Sequence, residues 1–173
     1  MRKIEVVPYN KDWPFLFQKE TSLIKSIFGH EIVEIYHIGS TSVVGLKAKP
    51  IIDILPVVKD IDKVDDFNRK MIEIGYEPKG ENGIAGRRFF HKGGDNRTHH
   101  VHIFEKGDAN IKRHVAFTKF LNAHPVIANQ YGELKEQLAK NFTYDPEAYS
   151  KGKDQFVKKI ELDALNWFVN QLN

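Results

Sequence analysis

The chain has 173 residues, of which 41% are apolar and 28% charged, with 12 Phe, 6 Tyr and 2 Trp. That is enough apolar material for the core of one domain and too much for a disordered chain. The absence of cysteine excludes disulfides, thiolate zinc sites, iron–sulfur clusters and thiol nucleophiles, so any metal must rest on His, Asp or Glu. A formal charge of +3 with His neutral is too small to coat nucleic acid.

In chain order, Asp12 and Pro14 open a predicted helix. Trp13, Leu16, Phe17, Leu23, Ile24, Ile27 and Phe28 recur at helical spacing until Gly29. Residues 31–38 and 50–58 are rich in β-branched types and read as strands. The second is apolar on both faces apart from Asp53, the pattern of a strand covered on both sides, with Pro56 interrupting the pairing near its end. A helix is predicted over 62–74, stopping at Gly75, and then a meander of strands near 76–79, 87–91 and 98–105. From Asn110 the pattern is helical, with a break at Pro125 and a last helix after Asp145-Pro146 carrying Phe156, Ile160, Leu165, Phe168 and Leu172. The order is that of an α/β (α+β) protein: a mixed sheet flanked by helices, then a C-terminal helical layer. A single domain over 1–173 is expected, with an α/β core over 1–108 and helices packed on it over 109–173.

The N-terminal residues lack the apolar run of a signal peptide, and no stretch approaches the length of a membrane span. A cytoplasmic protein with no membrane partner is expected, and its oligomeric state is not readable. Between Lys79 and Arg113 basic residues outnumber acidic ones and four histidines are interleaved. The segment could face an anion or be a solvated hairpin.

Three features carry chemistry. His37-Ile38-Gly39-Ser40-Thr41-Ser42 leaves one strand as a small turn, whose backbone N–H groups and hydroxyls can approach a phosphate closely. Asp53 is a charge inside an apolar strand and needs a partner: Lys49, Arg87 or Arg88 as a structural ion pair, or a divalent cation. His100 and His102 alternate onto one strand face and could share a cation or a phosphate; the competing reading packs them against the C-terminal helices. One carboxylate with two imidazoles suits Mn²⁺ or Zn²⁺ better than Mg²⁺. Arg87 and Arg88 alternate, so one of them should face the site; Arg88 is taken as the phosphate-binding one. A Gly-x-Ser-x-Gly elbow, a Walker A loop and a His-Glu-x-x-His helix are all missing from the sequence, and nothing points to specific nucleic-acid recognition.

A first helix, a strand ending in Gly-Ser and an acid on the next strand resemble the core of the nucleotidyltransferase superfamily. More closely, HIGSTSVVGLKAKPIIDI, RRFF and RTHHVHIFE, with VVPYNKDWP and FLNAHP, resemble the GrpB family over roughly residues 5–160. The resemblance implies a nucleotidyltransferase-like fold in which Gly39 and Ser40 sit by a triphosphate and Asp53 is a metal ligand. Active members of that superfamily place a second acid two residues after the first, on the same strand face; this chain has Leu55 there, a single-acid pattern that GrpB relatives share, so the standard two-metal site is not assumed.

The reading that follows leans to an enzyme. It is a nucleotidyltransferase-like protein that binds a nucleoside triphosphate or another phosphorylated ligand with a divalent cation (Mn, Zn or Mg) and transfers a nucleotidyl group. Gly39, Ser40, Thr41, Ser42, Lys49 and Arg88 would contact phosphate or nucleotide. Asp53, His100 and His102 would hold the cation and carry the chemistry. The alternative is a binding or partner module that kept the pocket and lost turnover with the second acid.

Overall fold

A computed structural model describes residues 2–171; Leu172, expected on the last helical stripe, lies outside them. The chain divides into two compact units, one built on a sheet and the other on helices.

The sheet unit comprises residues 11–38 and 51–111. It contains helix α1 (Trp13–Phe28), strands β1 (Ile32–Ile38) and β2 (Ile52–Val58), helix α2 (Asn68–Glu73), and strands β3 (Tyr76–Pro78), β4 (Arg88–Lys92) and β5 (His99–Glu105). The strands lie in the order β1-β2-β5-β4-β3. Only β2 and β5 run parallel; the other neighbours are antiparallel. β3, β4 and β5 therefore form the expected meander, and β2 lies inside the sheet as its apolar run requires, every residue of it buried except Asp53. Pro56 stays opposite Ile35 of β1, but toward β5 the pairing passes from Ile54↔Val101 to Val57↔Phe104, consistent with a residue that has no N–H to give.

Three local differences from the sequence pattern lie in the helical segments of this unit. In α1 the buried stripe is Trp13, Phe17, Glu20, Thr21, Ile24 and Phe28, whereas Leu16 and Leu23 stay 43% and 38% exposed. They flank a 3.6-residue stripe rather than lying on it. Asp12 sits at the N-cap, but its side chain makes no capping bond. The helix expected over 62–74 begins instead as a 3-10 stretch, Ile61–Phe67, with Asp60 accepting from the Asp62 N–H. Asp62, Val64, Asp65 and Asp66 have low helix propensity, and regular α-helix starts only at Asn68.

One face of the sheet carries a buried polar group. Glu20 of α1 accepts from Tyr76 Oη at 2.9 Å and from Lys92 Nζ at 2.8 Å, with His99 Nε2 at 3.8 Å. Burial and the Glu20 charge push the Tyr76 hydroxyl well above the usual phenol range. The opposite face holds an apolar cluster of Ile38, Leu55, Val57 and Phe104, with Tyr36, Ile84 and Ile111 packed on it.

The helical unit takes in the stretch up to Asn10, Gly39–Pro50 and the chain from Lys112 on. Its helices are α3 (Ala109–Ala123, from Lys112), α4 (Pro125–Asn141) and α5 (Pro146–Gln171), with the predicted break at Pro125. Val43 and Leu46 join Ala116, Phe120, Leu121, Ala128, Tyr131, Ile160 and Ala164 in one cluster. Val7 bridges Ala48 in antiparallel fashion. Gly152 permits close approach of α5 to α4, because a Cβ there would fall 2.4 Å from Leu138 Cδ2. Among the described residues no helix is long and apolar enough to cross a membrane.

Glu20 is 4% exposed, so Glu20→Ala strands Lys92 and the Tyr76 hydroxyl. A loss of about 3 kcal/mol is expected, read as a lowered urea midpoint at unchanged slope.

Candidate functional site

Parallel pairing of β2 with β5 sets Asp53 against His100, and strand alternation puts His102 on the same face. Asp53 Oδ1 lies 2.9 Å from His102 Nε2 and 3.3 Å from His100 Nδ1. Each imidazole turns its other nitrogen toward a guanidinium: His102 Nδ1 is 3.4 Å from Arg87 Nη1, and His100 Nε2 is 3.0 Å from Arg97 Nη1. Phe89 of β4 pairs with His102 and forms a wall. Its ring centroid is 5.4 Å and 5.2 Å from those of His100 and His102, and the Arg87 guanidinium lies 4.9 Å above it. The Asp53, His100 and His102 side chains are 24%, 19% and 13% exposed, so a ligand can reach all three.

Guanidinium nitrogens only donate. Arg87 therefore donates to His102 Nδ1 and Arg97 to His100 Nε2, which leaves His102 Nε2–H and His100 Nδ1–H donating to Asp53. Burial acts to raise the Asp53 carboxyl, but the hydrogen bonds from His100 and His102 outweigh it and hold the group well below the carboxylate range. Burial lowers His100, against the opposing effect of Asp53. An ionised carboxylate thus faces two imidazoles. One ligand atom from each of Asp53, His100 and His102 lies within 4.8 Å of the others. The mixed oxygen and nitrogen donors fit a single Mn²⁺ or Zn²⁺ better than Mg²⁺.

The sequence-predicted residues divide into several groups. Asp53, His100 and His102 come together, with both imidazoles set against the Asp53 carboxylate. Arg88 is directed elsewhere: it donates to Asp65 at 2.9 Å and pairs with Asp62 at 3.7 Å. Arg87, one position earlier, faces the cluster. Leu55 lies on the Asp53 face and is fully buried in the apolar cluster.

In the helical unit, Gly39 has φ +71° and opens a 3-10 turn, Ser40–Ser42. The Ser42 hydroxyl donates to the Gly39 carbonyl and lies 3.0 Å from Thr118 Oγ1. Asn122 clamps the segment, accepting from the Val44 N–H at 3.0 Å and donating to the Ser42 carbonyl at 3.2 Å. Thr41 is buried, and Lys49 Nζ lies 5.1 Å over the Tyr149 ring.

Phe89 carries no signal of its own in the sequence, and Arg97 stands there only as one of the basic residues between Lys79 and Arg113. Arg97 had no periodic signal, because the turn between β4 and β5 sets its direction.

Residues 3–162 match the family model described as GrpB protein. The UPF0157 protein YqkA of Bacillus subtilis (strain 168) is 49% identical over 166 residues, covering 96% of this chain and 48% of that protein. The chain thus spans about half the length of that relative. The crystal structure of conserved protein GrpB from Enterococcus faecalis aligns with a TM-score of 0.92 at 44% identity, over 95% of this chain and 99% of that one. A structure of the Cid1 poly (U) polymerase with MgGTP bound aligns with a TM-score of 0.50 at 16% identity, over 81% of this chain and 43% of that one. The latter likeness is one of fold: the sheet and its flanking helices have the nucleotidyltransferase-like arrangement.

Two measurements probe this region. Leu55→Asp places a charge among Ile38, Val57 and Phe104 and is expected to destabilise the chain by more than about 4 kcal/mol, seen in the denaturant midpoint. His37 stacks on Phe17 with centroids 4.7 Å apart; burial lowers its pKa to about 4, against the Asp53 charge. Its folded pKa lies below the unfolded value, so its stability contribution is complete above about pH 6.5 and is lost as pH falls toward the folded value, because the unfolded chain takes up the proton first. In His37→Gln the urea midpoint should fall less between about pH 7 and pH 5 than in the wild type.

Proposed function

The chain belongs to the GrpB family, and from that premise we propose that it binds a nucleoside triphosphate or another phosphorylated ligand with one divalent cation at Asp53, His100 and His102. The observation that carries this reading is the reachable, ionised Asp53 carboxylate with two imidazole nitrogens at 2.9 Å and 3.3 Å, flanked by two arginines. The fold supports the ligand class, since the Cid1 structure similar in fold has MgGTP bound. A cation held there supplies positive charge to phosphate oxygens. Asp53 provides the anionic ligand, and His100 and His102 the neutral nitrogens. Arg87 and Arg97 offer planar N–H pairs suited to a phosphate. Nucleotidyl transfer is the reaction such a site serves.

A second reading, ligand binding without turnover, is favoured by Leu55. The position of a second acid is fully buried in the apolar cluster, so a second cation has no anionic ligand from that strand. The phosphate contacts assigned to Gly39, Ser40, Thr41, Ser42 and Lys49 form a separate part of the proposal, tested by whether Ser40→Ala weakens nucleotide binding.

Thermal melts with each nucleoside triphosphate, with and without Mn²⁺ or Mg²⁺, test the main reading. A rise in Tm that needs nucleotide and Mn²⁺ together is expected, corresponding to about 2.7 kcal/mol at a hundred times Kd, and it should vanish in Asp53→Asn. No shift with any triphosphate and cation would overturn it. With labelled triphosphate, transfer or hydrolysis supports the enzyme, and binding without product supports the second reading.

A further inference from the structure

We infer that Arg87 and Arg97 act as an anion-operated gate on the cation position, so that a divalent cation binds well only when a phosphate-bearing ligand draws these guanidinia off the histidines. The inference rests on the proposed cation site and concerns how that site is regulated. The nitrogens that face Asp53, His102 Nε2 and His100 Nδ1, are the ones a cation beside the carboxylate would use. In the observed arrangement each carries the hydrogen, because Arg87 and Arg97 can only donate to the opposite ring nitrogens. The cluster is therefore closed on itself: both imidazoles donate to Asp53, and neither turns a lone pair toward the carboxylate.

Two fixed positive charges behind the rings also oppose an incoming cation. A phosphate with two or more charged oxygens changes both conditions. It offers the guanidinia a stronger, charge-assisted acceptor than a neutral ring nitrogen and balances their charge. Once released, His102 Nδ1 and His100 Nε2 can take the hydrogen, and the nitrogens facing Asp53 become acceptors. The gate thus gives phosphate and cation reciprocal effects on each other's affinity.

Arg97 is the better handle for a test. It sits between β4 and β5, where its Nε donates to the Gly94 carbonyl, and it is only half-buried. Arg87 is 7% exposed and also holds the Glu81 and Asn82 carbonyls, so its removal perturbs the 81–86 turn.

The experiment titrates Co²⁺ into the full chain, reading its visible ligand-field absorption, with and without inorganic phosphate. For the wild type, phosphate should raise Co²⁺ affinity about tenfold, the size of one charge-assisted hydrogen bond. Arg97→Ala should bind Co²⁺ more tightly than the wild type without phosphate and show a smaller phosphate effect. Wild-type affinity that ignores phosphate, or a phosphate effect undiminished in Arg97→Ala, would overturn the gate while leaving the cation site standing. No Co²⁺ spectrum under any condition would overturn both.

Nitrogen-15 NMR of the unliganded wild type gives a check that needs no variant. The gate requires hydrogen on His100 Nδ1 and His102 Nε2, and the opposite tautomers overturn it.

Discussion

The candidate site depends on one constraint, the need of Asp53 for company. A carboxylate in a strand whose other residues are all buried costs several kcal/mol unless its lone pairs are met. The parallel neighbour β5 meets them with His100 and His102, and the arginines behind the rings fix which nitrogen donates. Parallel pairing matters here because the register Asp53↔His100 brings a second imidazole, two residues on, to the same oxygen. The result is a chain of donors from guanidinium to imidazole to carboxylate, with each partner orienting the next.

The two faces of the sheet answer the problem of buried polarity differently. Beside α1, Glu20 is matched by a phenol and an ammonium and is closed off from solvent. On the other face, Asp53 is matched by two imidazoles and stays partly open. The first arrangement fastens a helix to a sheet; the second leaves a carboxylate and two imidazoles within reach of a ligand. Leu55 separates this face into two zones, with apolar packing beginning immediately beyond the site. Leu55 is fully buried in that packing, so an acid at its position would require rebuilding the cluster around it.

Much of this was legible in the chain itself. The strands, the meander and the helices from Asn110 onward follow from hydrophobic period and from Gly and Pro punctuation, which are local signals. Asp53 stood out because a charge in an apolar run is costly wherever the strand lies. His100 and His102 were matched to one face because alternation in a strand is fixed by backbone geometry.

Tertiary structure alone decided the partners. Which strand lies beside β2, and in what register, depends on contacts between residues far apart in sequence, so the sequence showed only that Asp53 needs a cationic partner, Lys49, Arg87, Arg88 or a divalent ion, while the pairing of β2 with β5 set His100 and His102 against it. The choice of Arg87 over Arg88 turned on Asp65 and Asp62, which lie in a distant 3-10 stretch and claim Arg88. Arg97 acquired its place from the way a glycine-rich turn closes, and Phe89 from its pairing with His102. Composition and period set the local conformation and the burial of this chain. The donor and acceptor geometry at the site arose only from long-range pairing, because a hydrogen bond is directional and short, and local sequence carries no record of which distant group will meet it.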